Sequence, residues 1–234
     1  MKILNLTDGL SPSMRESIIS LAVSEAPAMV GQHIDADSPL LALAEAEVAI
    51  LLGESLDMVG AGVSQQFDDG RWFDLKVGVI AAIDDEAEGQ PLVGMIQYKP
   101  RLMTDDVATI GYAAVAKDYR GRGIFKSMLE ELKSTYPVLG LDCPLELVPF
   151  YEKLGFKADN AQGAHVGMSL GELSGKNWMQ DQEHLENNSL YKRAKENIRD
   201  RLGKNTRDAY TRRDRDTQKR VDEIHAFLAS RKTA

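Results

Sequence analysis

From Lys76 onward the apolar residues fall into three runs, "KVGVIAAID" (76–84), "PLVGMIQYKP" (91–100) and "VATIGYAAVA" (107–116), separated by the turn-forming stretches "DDEAEGQP" and "RLMTDD". Runs of this length, rich in Val and Ile and bounded by Asp, Gly and Pro, have the signature of strands. Connections this short predict antiparallel pairing, because a parallel neighbour needs a crossover of about a dozen residues or more. A helix from Gly123 to about Thr135 follows. Next come a strand at "PVLGLDC", a short helix at "VPFYEKLG", and strands near "FKAD" and "HVGMSL". This βββαβαβ order predicts an α+β fold, a mixed sheet with helices on it.

Upstream, residues 2–6 read as a short strand. Ser11 and Pro12 suit the start of a helix whose Ile18, Ile19, Ala22, Val23 and Ala26 share one face. A second helix is expected from about Pro39 to Leu52, ending at Gly53, with a glycine-rich acidic loop from Gly53 to Asp74 and Trp72 and Phe73 as its candidate anchors.

Charge divides the chain unevenly. The first 188 residues hold 14 Lys/Arg against 29 Asp/Glu, net −15; residues 189–234 hold 14 against 7, net +7. An acidic body repels nucleic-acid phosphates, so an anionic ligand must be held there by local groups. In the basic segment Arg alternates with Asp and Glu, the pattern of a solvated or salt-bridged helix face more than of a nucleic-acid surface. Its thin apolar spacing at Leu190, Ala194, Ile198 and Leu202, then at Val221, Ile224, Phe227 and Leu228, predicts surface helices without a second core. The expected division is therefore a domain over residues 1–174 and a charged helical extension over 175–234, used for docking on the body, for self-association or for a protein partner.

The opening "MKILNLTDGLSPS" turns polar too early for a signal peptide, and no apolar run approaches the roughly 18 residues of a membrane span, so a cytoplasmic protein is expected. Cys143, the one cysteine, reads as a small buried hydrophobe. His33, His165, His184 and His225 show no ligand spacing, so no metal is expected.

The junction "AKDYRGRGIFKS" (116–127) carries two glycines between two arginines where a strand gives way to a helix. A Walker loop would need glycines where Arg120 and Phe125 stand, and a dinucleotide fingerprint would need one at Lys126. A helix N-terminus remains. Its unpaired N–H groups and partial positive charge suit a diphosphate, Gly121 and Gly123 permit close approach, and Lys117, Arg120, Arg122 and Lys126 add charge.

With that reading, "RGRGIF" (120–125) resembles the acetyl-CoA motif of the GNAT superfamily of N-acetyltransferases, Arg/Gln-x-x-Gly-x-Gly/Ala. "LVPFYEKLGF" (147–156) is similar to the helix and strand that close that fold. Phe125 stands where that family usually has Gly or Ala, and Pro144 where it often has Asn. Over about residues 77–170 the resemblance implies direct acetyl transfer from acetyl-CoA to an amine acceptor. It implies Tyr151 as general acid, the backbone N–H of Val115 or its neighbour on the thioester arm, and Lys117, Arg120, Gly121, Arg122, Gly123, Phe125 and Lys126 around the diphosphate. Glu146 and Asp142 are the candidate bases. The alternative is a GNAT-like scaffold retired from catalysis and used in an assembly such as a virion.

Overall fold

The computed structural model describes residues 1–178 and 182–232. Its strands are β1 (Lys2–Leu6), β2 (Ser64–Gln66), β3 (Trp72–Asp74), β4 (Gly78–Ile83), β5 (Leu92–Pro100), β6 (Val107–Val115), β7 (Val138–Cys143), β8 (Lys157–Gln162) and β9 (His165–Leu170). Its helices are α1 (Pro12–Val23), α2 (Leu41–Asp57), α3 (Ile124–Thr135), α4 (Val148–Glu152), α5 (Gln182–Asn187), α6 (Ser189–Leu202) and α7 (Thr206–Lys232). The expected βββαβαβ order is present from β4 to β8, and β9 follows it. The chain forms two compact units. One comprises Met1–Ala22, Leu52–Leu141 and the segment from Ser169; the other comprises Val23–Leu51, Asp142–Met168 and the C-terminal helices.

In the first unit the strands lie in the order β1-β4-β5-β6-β7. The first three pairings are antiparallel and β6 with β7 is parallel, so the sheet is mixed. Every residue of β4 is buried, as expected of a strand covered on both faces. Helix α3 buries Ile124, Met128, Leu129 and Leu132, a spacing of four, one and three that makes one helical stripe, against β1, β4, β5 and β6. Contact is close at Gly94, where a Cβ would lie 2.9 Å from Met128 Cε.

Two expectations for this unit are corrected. Helix α2 does not stop at Gly53 but continues a full turn to Asp57. Arg15 from α1 donates to the Gly53 carbonyl at 3.2 Å and to Asp57 at 2.7 Å, so the missing side chain makes room for a guanidinium instead of ending the helix. The stretch from Gly53 to Asp74 is also not all loop, because β2 and β3 pair as an antiparallel hairpin. There Phe73 packs edge-on to Phe67 with ring centroids 4.6 Å apart, whereas Trp72 is 65% exposed.

In the second unit the basic tail is core-forming, against the expectation of surface helices alone. Leu185, Tyr191, Ala194 and Ile198 pack with Leu40, Leu43, Ala46 and Ile50 into one apolar cluster. The buried stripe of α6 keeps the expected Ala194 and Ile198 but begins at Tyr191, with Leu190 outside. Asn188 caps α6 by accepting the Leu190 N–H at 2.9 Å. Helix α7 lies on β8 and buries Ile224. It is held there by ion pairs of Arg220 with Glu146 and Arg231 with Glu152, and by the His33 N–H donating to Thr217 Oγ1 at 3.0 Å.

Candidate active site

The first unit holds the strand-to-helix junction that the sequence singles out. Strand β6 ends at Val115, Ala116 N–H donates to Val93 O at 2.8 Å, and a single 3-10 turn (Lys117–Tyr119) leads to Arg120. Gly121 and Gly123 then take φ of +76° and +78°, a left-handed conformation that costs other L-residues about 1 kcal/mol or more. Gly123 caps α3 with no side-chain hydrogen bond, and the first bond into the helix is Ser127 N–H to Gly123 O at 3.0 Å. The N–H groups ahead of it belong to the first helical turn, where donors have no partner within the helix itself. A Cβ on either glycine would meet nothing within 4 Å, so open space borders these donors. The junction thus offers a helix start with no side-chain cap and with basic residues close by in the chain.

The cations around it divide in two. Arg120 Nε donates to Val115 O at 3.0 Å, and Arg122 donates to Asp118 O at 2.9 Å while stacking 4.9 Å over Tyr119. Tyr119 in turn donates to Asp84 at 2.9 Å, a bond to a carboxylate that raises its phenol pKa. These contacts hold the two arginines to the turn itself. Lys117 and Lys126 form no ion pair among the described residues. Phe125 is half-buried; the side chain entering the core beneath the helix start is its neighbour Ile124.

Strand β6 also opens the sheet. It pairs with β7 only at Val107–Val138, Ala108–Leu139 and Thr109–Gly140, so the two strands part after Thr109. On its other edge the register with β5 passes from Tyr98–Ile110 to Gln97–Tyr112, which makes Gly111 a bulge. Sequence reasoning placed the exposed main-chain donor at Val115 or its neighbour. Val115 remains in register with Gly94, and the bulge lies at Gly111.

The bulge brings forward a residue that the sequence reading missed. Gln97 is 0% exposed, and neither its Oε1 nor its Nε2 has a hydrogen-bond partner; Thr109 Oγ1, on β6 beside the opening, is likewise buried and unpaired. The available signal was a lone amide inside the apolar run "LVGMIQYKP" and a glycine inside "TIGYAA".

The remaining candidates lie in the second unit. Tyr151, on α4, is 8% exposed and packs edge-on to Phe150 and Phe156. Burial, with Cys143 and Asp142 nearby, pushes its phenol pKa well above the ordinary value. Asp142 Oδ2 is 2.6 Å from Nδ1 of the buried His165. Burial pulls the Glu146 carboxyl upward, but its own backbone N–H and the Arg220 guanidinium outweigh this and hold its pKa below the usual value. Cys143 is buried, as expected, and sits 3.6 Å from Met168 Sδ. Among the described residues no group of three or more His, Cys, Asp or Glu could hold a metal ion, and no helix is long and apolar enough to cross a membrane.

No curated protein shows significant sequence similarity to the chain. Among solved structures, Tetrahymena GCN5 is 10% identical with a TM-score of 0.48, over 72% of this chain and 94% of that one. An acyl-CoA N-acyltransferase from Pseudomonas aeruginosa is 12% identical with a TM-score of 0.45, over 72% and 99%. An aminoglycoside 6'-N-acetyltransferase complexed with coenzyme A is 14% identical with a TM-score of 0.46, over 72% and 96%. Residues 76–158, which span the opened sheet, the glycine-arginine turn and the Tyr151 helix, match the family model described as the acetyltransferase (GNAT) domain.

Proposed function

We propose that this protein is an N-acetyltransferase that moves the acetyl group of acetyl-CoA directly onto an amine. The observation that carries this reading is the uncapped start of α3: two left-handed glycines with open space beside them, ringed by Lys117, Arg120, Arg122 and Lys126. These residues would hold the diphosphate, and acetyl-CoA would supply the activated thioester. The main chain of β6 beyond Thr109, freed from β7, would receive the thioester arm along the strand, ending toward Val115.

The amine attacks as its free base. The C–N bond forms, the C–S bond breaks with its electron pair on sulfur, one amine proton leaves and the thiolate is protonated. Tyr151 is assigned the last step, because its raised pKa keeps the phenol protonated throughout the working range. Asp142, paired with His165, suits the role of base better than Glu146, whose carboxylate is occupied by Arg220.

Acetyl-CoA should raise the melting temperature, and free thiol should appear when an amine panel is added. No thermal shift at millimolar acetyl-CoA would reject the reading. A second reading, a scaffold retired from catalysis, is favoured by the deep burial of Tyr151. It predicts that the thermal shift is retained with no thiol release from any amine, and that Tyr151→Phe changes nothing.

A further inference from the structure

Gln97 presents an unusual balance of costs. A carboxamide buried without partners sacrifices its hydrogen bonds to water, typically about 1–3 kcal/mol for each unsatisfied group, and most buried polar groups avoid this. Here both halves of the amide are unpaired in a strand where Met95, Ile96 and Tyr98 are all buried. The surrounding chain is shaped to accommodate it. A Cβ on Gly111 would lie 2.4 Å from Gln97 Oε1, so the bulge residue must be glycine for the amide to occupy this position. Gly111 is itself exposed, so the carboxamide lies one side-chain-free residue from the surface. The bulge starts two residues after Thr109, the last β6 residue paired with β7, and Thr109 carries the other unpaired buried oxygen. Among the described residues the buried side-chain atoms without a partner, two on Gln97 and one on Thr109, thus lie on the adjacent strands β5 and β6.

We propose that Gln97 is a further catalytic residue: its Nε2 donates to the thioester carbonyl oxygen as that atom gains charge, and its Oε1 accepts an N–H of the incoming amine. The inference rests on the acyltransfer reading given above. An amide is suited to this pair of tasks because it offers one donor edge and one acceptor edge and exchanges no proton, so the balance of the transfer is unchanged. A donor held in a buried site needs little reorganisation as charge develops on the oxygen. Thr109 Oγ1, either donor or acceptor, lies on β6, the strand next to Gln97, and would help orient the acceptor.

The test compares wild type with Gln97→Met and Gln97→Glu by unfolding without ligand, by the acetyl-CoA thermal shift and by thiol release. Gln97→Met replaces an unsatisfied amide by an apolar chain of similar shape, so the ligand-free protein should melt higher while turnover falls about 100-fold, the scale for losing one oxyanion donor. Gln97→Glu should turn over more slowly still, since a carboxylate opposes the developing negative charge. Both should retain the acetyl-CoA shift, because the diphosphate cradle is untouched. A Gln97→Met protein that melts lower, or one that turns over as wild type does, overturns the proposal while leaving the acetyltransferase reading intact. A wild-type protein that releases no thiol with any amine overturns both.

Discussion

Gly78 of β4 lies beneath the ring of its register partner Tyr98 on β5, so close that a Cβ would stand 2.3 Å from the Tyr98 Oη. The ring cannot move aside cheaply, because it is buried and its hydroxyl donates to Asn5 Oδ1 of β1 at 3.0 Å, tying three strands together. Gly78→Ala is expected to destabilise the protein by about 3 kcal/mol, the upper range for overpacking a tight core. Urea unfolding checks it. In a Tyr98→Ala background the same substitution should add little, since the two changes share one contact.

Lys99 lies on β5 with its Nζ 4.8 Å from the Trp178 ring centroid, and Trp178 Nε1 donates to Pro100 O at 3.0 Å. Burial lowers the Lys99 pKa to about 8, against the pull of Glu54, which favours the charge. The folded chain thus binds the proton less tightly than the unfolded chain does. Below pH 8 the charged amine carries its full penalty; as pH rises from about 8 to the unfolded value the penalty is relieved, so this residue makes stability rise with pH. Lys99→Met should stabilise by up to about 3 kcal/mol at pH 7, and the gain should vanish near pH 10.5. Denaturant titrations at the two pH values read the difference directly.

At the cradle, Gly123 separates backbone strain from ligand contact. Its added Cβ meets no atom, so Gly123→Ala destabilises the free protein only through its positive φ, by about 1 kcal/mol. Asn tolerates the left-handed region better and should recover most of that loss. Both side chains would enter the space proposed for the diphosphate, however. The acetyl-CoA thermal shift should shrink in both variants, and an unchanged shift in Gly123→Asn would remove the ligand from this turn.

The parts of this fold that could be read in advance are those decided by near neighbours. The period of β4, β5 and β6 and the helix start at Gly123 depend on residues a few positions apart, and they lie where the pattern put them. What stayed hidden depends on distant partners. Gly53 reads as a helix stop until Arg15, 38 positions away, is seen to need its space. Tyr191 stands outside the stripe read from Leu190, Ala194, Ile198 and Leu202 until the cluster with Leu43 and Ile50 claims its ring. Gln97 and Gly111 look like interruptions of two apolar runs, and only the bulge between the strands makes them a pair. Glu146 reads as a solvated base candidate because Arg220 is 74 residues further along.

That last pair separates two accounts of how the basic tail is held. If charge dominates, Arg220→Ala should release α7; if burial dominates, Ile224→Ala should. Glu146 remains more than half exposed, and an ion pair so placed contributes under about 1 kcal/mol. Ile224 is fully buried, and truncating such a side chain costs roughly 2–5 kcal/mol. Ile224→Ala should therefore expose α7 to limited proteolysis while Arg220→Ala leaves it protected at neutral pH. The ion pair shows itself in acid. Because the Glu146 pKa is lower in the folded state, its contribution is complete above the ordinary carboxylate range and fades as pH falls through the lowered value. Wild type should then approach Arg220→Ala in stability toward pH 3. A tail released by Arg220→Ala at pH 7 would show instead that charge, not the Ile224 contact, holds the helix.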